Sequence, residues 1–463
     1  MKIDHFMNGE SVSSNQTFEK LNPYTSELLY SVSNATSIDL VKAIQFGQKS
    51  FMDWKSTKLS DRLTYLTQIK SKYLELKNEI IKAESMDQGL SAAFTETANY
   101  NIGLSIIDRF IMELNFQINT PAKNILYSSV GLTVVILSWN LSNRLFIERA
   151  LAAAMAGNAV IVKCSSQAAS IALCWSEILQ KIGFPNGVIQ FIHGRDQGFK
   201  DLLVTHPSIK AISMTGNLKN CSEVLKKTAL LSHSQFKKIQ LSTGGKNPAI
   251  SLYDPTEEHA AEVLNSFIIG QGQLAWNSSR LFILEKKSAE WNQLIADYLQ
   301  KIKPQEGIDD NSVWSPVIKQ SSVVVFNELQ ALAKSDQAKL IQSKFIKQIP
   351  EMYLYPTFTK DMSNCSTLQQ DQVLAPLYIL SEVKYPFDIP KYSNVSYYGF
   401  GASIWGQTDK VSKLTDNLDV GHISLNDWFV HSSAAIKAVK QSAYGIQDYR
   451  IFGDFFSNVK FLS

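Results

Sequence analysis

The sequence predicts an α/β protein organised around mostly parallel sheets. Two observations carry that prediction. From about residue 131 onward, short β-branched runs alternate with helical stretches of ten or more residues. Parallel strands need such crossovers, because a tight hairpin can join only antiparallel ones. The chain, at 463 residues with 45% apolar side chains, is also long enough for two or three domains and a large core.

The elements follow in order. Residues 37 to 113 read mostly as helices, with apolar side chains at helical spacing through DLVKAIQFGQKSFMDW and DRLTYLTQIKSKYLELKNEIIKAESM. NILYSSVGLTVVILSW then reads as one or two strands. GLTVVIL, NAVIVK, GVIQFIH and IKAISM are strand candidates, each followed by a helix candidate such as NRLFIERALAAAMAG or QAASIALCWSEILQKIG. A second α/β region starts near LSTGGKNPAISLY, with RLFILE, PLYIL, GASIWG and HISLND as its strands. The tail DYRIFGDFFSNVKFLS reads as an aromatic strand that needs a partner edge, such as that of another subunit. Sheets of this kind bind ligands at the carboxyl ends of their strands. Trp139, Asn140, Lys163, Gly194, Thr215 and Gly216 fall at those ends.

Composition narrows the class. Net charge is +3, from 45 basic and 42 acidic residues, and the basic clusters are short and scattered. A nucleic-acid or anionic-membrane specialist would concentrate them, so neither partner is expected. Cys164, Cys174, Cys221 and Cys365 form no C-x-x-C pair, so no zinc or redox motif is expected and no metal is assigned. Few thiols in a long chain suit a reducing compartment. The N-terminus lacks the apolar run of a signal peptide and no window has membrane-helix length. The expectation is a cytoplasmic protein.

One stretch raises a chemical question. IIGQGQLAWNSSRLFI, residues 268 to 283, has glycines that let a backbone bend sharply before an apolar strand. Its centre, Leu274–Ala275–Trp276, holds no thiol, hydroxyl or titratable group. Ser278 and Ser279 lack a nearby base in sequence and read as turn serines bonded to their own backbone.

The strings ILSWN, GNAVIVK, FPNGVIQFIHG, THPSIKAISMTG, LSTGGKNPAI, GQGQLAWNSSR, VLAP and YGFGASIW, in this order, resemble the aldehyde dehydrogenase superfamily over nearly the whole chain. AESMDQG, IIDRFIM, GGKNPAI and DFFSNVK resemble the branch containing 2-aminomuconic and hydroxymuconic semialdehyde dehydrogenases. The resemblance implies a Rossmann-like NAD(P)-binding-type domain over residues 1–115 and 131–243. It implies a catalytic-type α/β domain over 244–435, and an oligomerisation arm with a C-terminal tail over 116–130 and 436–463. It also implies a chemistry: a thiolate attacks an aldehyde, hydride passes to the nicotinamide, and a carboxylate activates water while amide donors hold the oxyanion.

Residue by residue, the match is incomplete. Ala275 stands where the nucleophilic cysteine is expected, and no cysteine occurs between Cys221 and Cys365. Ser242 stands at the general base, with no carboxylate between Gln235 and Tyr253. Asn140 matches the oxyanion donor; helix capping is its alternative reading. For the cofactor, the resemblance implies roles for Trp139, Lys163, Ser166, Gly194, Gly198, Gly216, Asn217 and Gln372. Ser166 replaces an acid that would grip both ribose hydroxyls, which leaves NADP open beside NAD. Asn217 is bulkier than the family's serine but can cap the next helix, and Gln372 replaces a ribose-binding glutamate. Weak cofactor binding, or none, is expected. Arg109 matches an arginine that binds a substrate carboxylate in the muconic branch, with a surface helix arginine as the alternative; His431 replaces a second arginine. The expected product is a homologue without aldehyde oxidation that binds, scaffolds or regulates. It would be a homo-oligomer (dimer or tetramer) or a hetero-oligomer with an active paralogue. The other reading is an NAD(P)-dependent oxidoreductase of altered chemistry acting on a carboxylated semialdehyde.

Overall fold

The computed structural model describes residues 1–121, 124–231, 235–342 and 349–462. Residues 122–123 and 463 of the expected arm and tail lie outside these, as do 232–234 and 343–348 of the two expected domains.

Two large sheets divide the chain. The first has eight strands, ordered Ala443–Gly445, Lys238–Ser242, Ile209–Thr215, Leu132–Ile136, Ala159–Lys163, Ile189–Ile192, His5–Met7 and Glu10–Val12. Its five central strands run parallel. Leu132–Ile136 and Ala159–Lys163 are buried on both faces apart from their last residues. That double burial is why they read as continuous apolar runs and not as alternation. The chain fills this sheet from Leu132–Ile136 outward to one side, then returns to fill the other. Strand order therefore reverses between Leu132–Ile136 and Ile209–Thr215, the doubly wound arrangement that opens a crevice at the strand ends.

The helix after Leu132–Ile136 contains a wide-turn π segment, Phe146–Leu151, between two α turns, Ser142–Leu145 and Ala152–Met155. Every residue of it is buried, Arg144, Glu148 and Arg149 included, so those charges must find partners inside the protein. The extra residue in the wide turn rotates the side chains beyond it relative to Asn140.

The second sheet has seven strands, ordered Lys339–Gln342, Thr357–Lys360, Leu377–Val383, Ser278–Leu284, Asn247–Ser251, Ala402–Trp405 and Ile423–Leu425. All pairs are parallel except the first. Only Thr243–Gly244–Gly245–Lys246 separates the end of a first-sheet strand from the start of Asn247–Ser251. The short link brings the strand ends of both sheets to one junction.

A separate two-stranded ribbon pairs Ile125–Ser129 with Ser457–Phe461, leaving Leu126 and Phe461 exposed. The tail is not one aromatic strand. Ala443–Gly445 closes the edge of the first sheet, and Val439–Lys440 pairs with Tyr398–Gly399. Ile451, Phe455 and Phe456 are fully buried in turns. Burial of those rings against the core outweighs the edge pairing that their β propensity suggests. Among the described residues no helix is long and apolar enough to cross a membrane.

Candidate functional site

The turn at residues 268–283 is the centre of the site. Gly270, Gln271 and Gly272 take φ of 71°, 55° and 67°, three successive left-handed residues. Two glycines adopt that region freely, but Gln271 does so against its Cβ. Its amide is anchored on the Ser315 carbonyl, 2.5 Å away. Asn277 staples the bend: its Oδ1 accepts the Leu274 N–H at 2.8 Å and its Nδ2 donates to the Ile269 carbonyl at 2.8 Å.

The bend carries Ala275 to Asn140. The Ala275 N–H donates to Asn140 Oδ1 at 3.2 Å. That bond settles which way the Asn140 amide points, because an N–H must meet an oxygen. Asn140 Nδ2 is therefore the other end; it is buried and has no partner among the described residues. The capping alternative for Asn140 is overturned. Leu141, at φ 47°, precedes the helix and no side chain caps it. Ser142 also does not cap, since its hydroxyl donates to Glu84 at 2.6 Å.

Ser278 and Ser279 correct another expectation. They open the strand Ser278–Leu284 and do not bond their own turn. Ser278 Oγ accepts from Ser266 Oγ at 2.8 Å, and Ser279 Oγ donates to the Asn247 carbonyl at 3.3 Å. The strand register dictates those partners.

Ser242 ends the strand Lys238–Ser242 and meets Arg149, a residue that sequence reasoning passed over. Arg149 Nη2 donates to Ser242 Oγ and Nη1 to Ser213 Oγ, each at 2.9 Å. The Tyr449 hydroxyl lies 3.3 Å from Ser242 Oγ, and the guanidinium stacks 5.2 Å from the Tyr449 ring. A buried cation held by hydroxyls thus adjoins position 242, with no base there. Its signal was a charged pair, Glu148 and Arg149, in the helix NRLFIERALAAAMAG.

Arg144, on the same helix, was also missed. It is 1% exposed and donates to the Val430 and Ser432 carbonyls, each at 2.7 Å. Its guanidinium lies 5.1 Å from the Trp276 ring. Trp276 is itself buried, edge-on to Phe400 at 5.7 Å, and its carbonyl accepts from Trp428 Nε1 at 2.7 Å. Trp428 stacks on Phe94 at 5.5 Å. Burial pushes the Arg144 pKa down to about 10, which leaves it cationic at neutral pH.

Arg109 is no plain surface arginine. Its Nη1 donates to the Ser433 carbonyl at 3.1 Å, while Nε and Nη2 are buried without hydrogen-bond partners among the described residues. Glu113 Oε1 sits 3.8 Å from Nε. His431 is exposed and turned to Asp427, 2.9 Å away. Arg109 and Arg144, and not His431, grip the segment 430–433.

The expected cofactor residues line the strand ends of the first sheet, but their chemistry is largely turned inward. Burial, with the nearby Lys200 and Arg195 charges adding to it, pushes the Lys163 ammonium down to about 8. Ser166 sits in the short turn closed by the Ser165 and Ala168 bridge, and Trp139 packs partly buried against the core. At Gly194 a β-carbon would fall 2.7 Å from the Phe199 ring, so that ring covers the glycine. Gly198 lies in the first turn of the helix Gln197–Thr205, whose Phe199 N–H is capped by the Asp196 carboxylate at 2.9 Å. Asn217 caps Leu218–Ala229, accepting the Asn220 N–H at 2.8 Å, and Gly216 packs against Met214. An acid capping one helix N-terminus and an amide capping the other compete for the donors a pyrophosphate would use. Gln372 lies directly over Gly244, in a small crevice that also includes Gly272, Leu274 and Asn277. Among the described residues no three His, Cys, Asp or Glu side chains stand together to hold a metal.

Comparison with known proteins agrees with this architecture. The family model described as the aldehyde dehydrogenase family matches residues 10–462. The chain belongs to the aldehyde dehydrogenase family. The 2-aminomuconic semialdehyde dehydrogenase of Mus musculus is 23% identical to it, over 99% of this chain and 97% of that one. Among solved structures, the NAD+ complex of an aldehyde dehydrogenase from Bacillus cereus superposes with a TM-score of 0.90 at 20% identity. That match covers 99% of this chain and 96% of the other. An NADP-dependent enzyme of E. coli gives the same TM-score at 20% identity, covering 100% and 98%. At such identity the structures establish the shared fold, and the two sheets described above are its doubly wound and catalytic-type layers.

Proposed function

We propose that this member of the family does not oxidise aldehydes and acts as a binding, scaffolding or regulatory subunit. One observation carries the proposal. The turn that presents position 275 to the Asn140 amide presents a methyl group, with Trp276 and Arg144 packed behind it. An alanine forms no covalent adduct, and Ser242 beside a guanidinium supplies no base. The capped helix termini support weak NAD or NADP binding, or none. The exposed ribbon of Ile125–Ser129 and Ser457–Phe461 supports assembly, either with further copies (a dimer or tetramer) or with an active paralogue. Few thiols support a cytoplasmic setting.

A second reading rests on the buried, unpartnered Asn140 Nδ2 and the cations near Lys163. Under it the chain binds NAD(P) and a carboxylated small molecule, and works by altered chemistry. Calorimetric titration with NAD and with NADP separates the two. No heat at millimolar cofactor is the expected result. Micromolar binding of either would overturn the first reading.

A further inference from the structure

The helix Lys77–Gln88 holds the loops that follow two neighbouring first-sheet strands, Leu132–Ile136 and Ala159–Lys163. Glu84, Asp87 and Gln88 do this from the last turns of its buried side, spaced three and four residues apart so that they share one face. Gln88 Oε1 accepts the Leu141 N–H at 2.9 Å. Glu84 accepts Ser142 Oγ at 2.6 Å on one oxygen, and the amides of Gln88 and Asn99 donate to the other. Asn99 in turn accepts the Arg144 N–H at 2.8 Å. These bonds hold the loop that aims both Asn140 and Arg144. Asp87 reaches the other loop, accepting the Ser170 N–H at 3.0 Å and Ser170 Oγ at 2.5 Å. Tyr30 donates to Asp87 as well and accepts the Ala169 N–H at 3.2 Å. That loop follows Lys163 and includes Ser166.

The two carboxylates are one helical turn apart, and each is at most 1% exposed. Lys20, also 1% exposed, offsets the charge on Asp87. Glu84 faces Asp87 on its own helix, Tyr73 on the preceding helix, Cys174 on the helix Ile171–Lys181, and Cys164 after the second strand. Every hydrogen bond it makes is accepted from a donor. Those bonds suit an ionised carboxylate. A proton on Glu84 would point at groups that all offer hydrogens, and only the Ser142 hydroxyl can reverse to accept it. That reversal acts on the residue next to Leu141, whose φ of 47° is held by Gln88. Burial, with the nearby Asp87 charge adding to it, raises the Glu84 pKa to about 7 against the pull of its Ser142 and Asn99 bonds.

We propose that Glu84 and Asp87 are positioning residues that couple the Asn140–Arg144 loop to the loop of residues 165–170, with the charge on Glu84 as the switch. The inference concerns how the site is held and stands whether or not a cofactor binds there.

Hydrogen–deuterium exchange of the full chain, corrected for the intrinsic pH dependence, tests it. Peptides covering residues 139–146 and 164–171 should change protection together, with one midpoint near pH 7. Glu84→Gln should abolish that midpoint in both peptides. Asp87→Asn should shift it downward, because a neighbouring negative charge no longer opposes ionisation. A purely structural role would loosen both loops at every pH without a midpoint. Loops that change at different pH values, or a midpoint that survives Glu84→Gln, would overturn the proposal. If Glu84→Gln does not fold, the wild-type profile and the Asp87→Asn shift decide the matter.

Discussion

The contact between Arg144 and Trp276 can be tested by a double-mutant cycle. Trp276 is 4% exposed, so Trp276→Ala removes a fully packed indole. Such truncations cost about 3–5 kcal/mol. Arg144→Met keeps an unbranched stem but removes two bonds of 2.7 Å to the Val430 and Ser432 carbonyls. Charged bonds of this kind contribute roughly 1.5–3 kcal/mol each, and release of the guanidinium from a buried site returns part of that. A net loss of about 2 kcal/mol is expected. The guanidinium lies 5.1 Å from the Trp276 ring, out of water, where a cation–π pair contributes about 1–2 kcal/mol. The double variant should therefore be less destabilised than the sum of the singles by about that amount. Guanidinium chloride unfolding of the four proteins, followed by far-ultraviolet circular dichroism, measures it. A coupling below about 0.3 kcal/mol would mean that the two side chains act independently, and the packed plug behind Ala275 would have to be abandoned.

Two further outcomes follow from charge. Ser242→Glu would put a carboxylate beside Arg149 Nη2, which lies 2.9 Å from the serine hydroxyl. The pair would depress that carboxylate's pKa, so its stabilisation exists above the usual carboxylate range and is lost as pH falls. The variant should lose more thermal stability than the wild type as pH falls below about 4.3, the ordinary glutamate value, and equal losses would show that the guanidinium does not reach position 242. Glu84 has the opposite sign. Its folded pKa is raised to about 7, so its ionisation penalises the folded state increasingly as pH rises from the usual carboxylate range to about 7. Over that window the wild type should lose stability relative to Glu84→Gln by about 3 kcal/mol at most; a parallel pair of melting curves would contradict it.

Much of the architecture was legible before any coordinates. GLTVVIL and NAVIVK announce themselves because parallel strands buried on both faces are largely apolar. The absence of a thiol near residue 275 and of a carboxylate near residue 242 needed only the sequence, since no shift of register could supply either. Asn217 was also readable as a cap, because capping is a local matter of one side chain and the amide three residues on.

The rest depended on contacts between distant segments. Asn140 and Ser142 look like caps by spacing, yet Asn140 is claimed by Ala275, 135 residues away, and Ser142 by Glu84, 58 residues back. Arg109 reads as a surface residue until Ser433 arrives beside it. Arg144 and Arg149 lie on a helix buried all round; the loop at 430–433, the hydroxyls of Ser213, Ser242 and Tyr449, and the buried Glu148 carboxylate near Arg144 make their burial tolerable. Sequence by itself therefore determined the fold class, the family and the absence of a thiol near residue 275 and of a carboxylate near residue 242, because periodicity and residue identity are local properties. The tertiary structure alone decided what surrounds positions 275 and 242, because a buried polar group takes its meaning from whichever partner folding brings within hydrogen-bond reach.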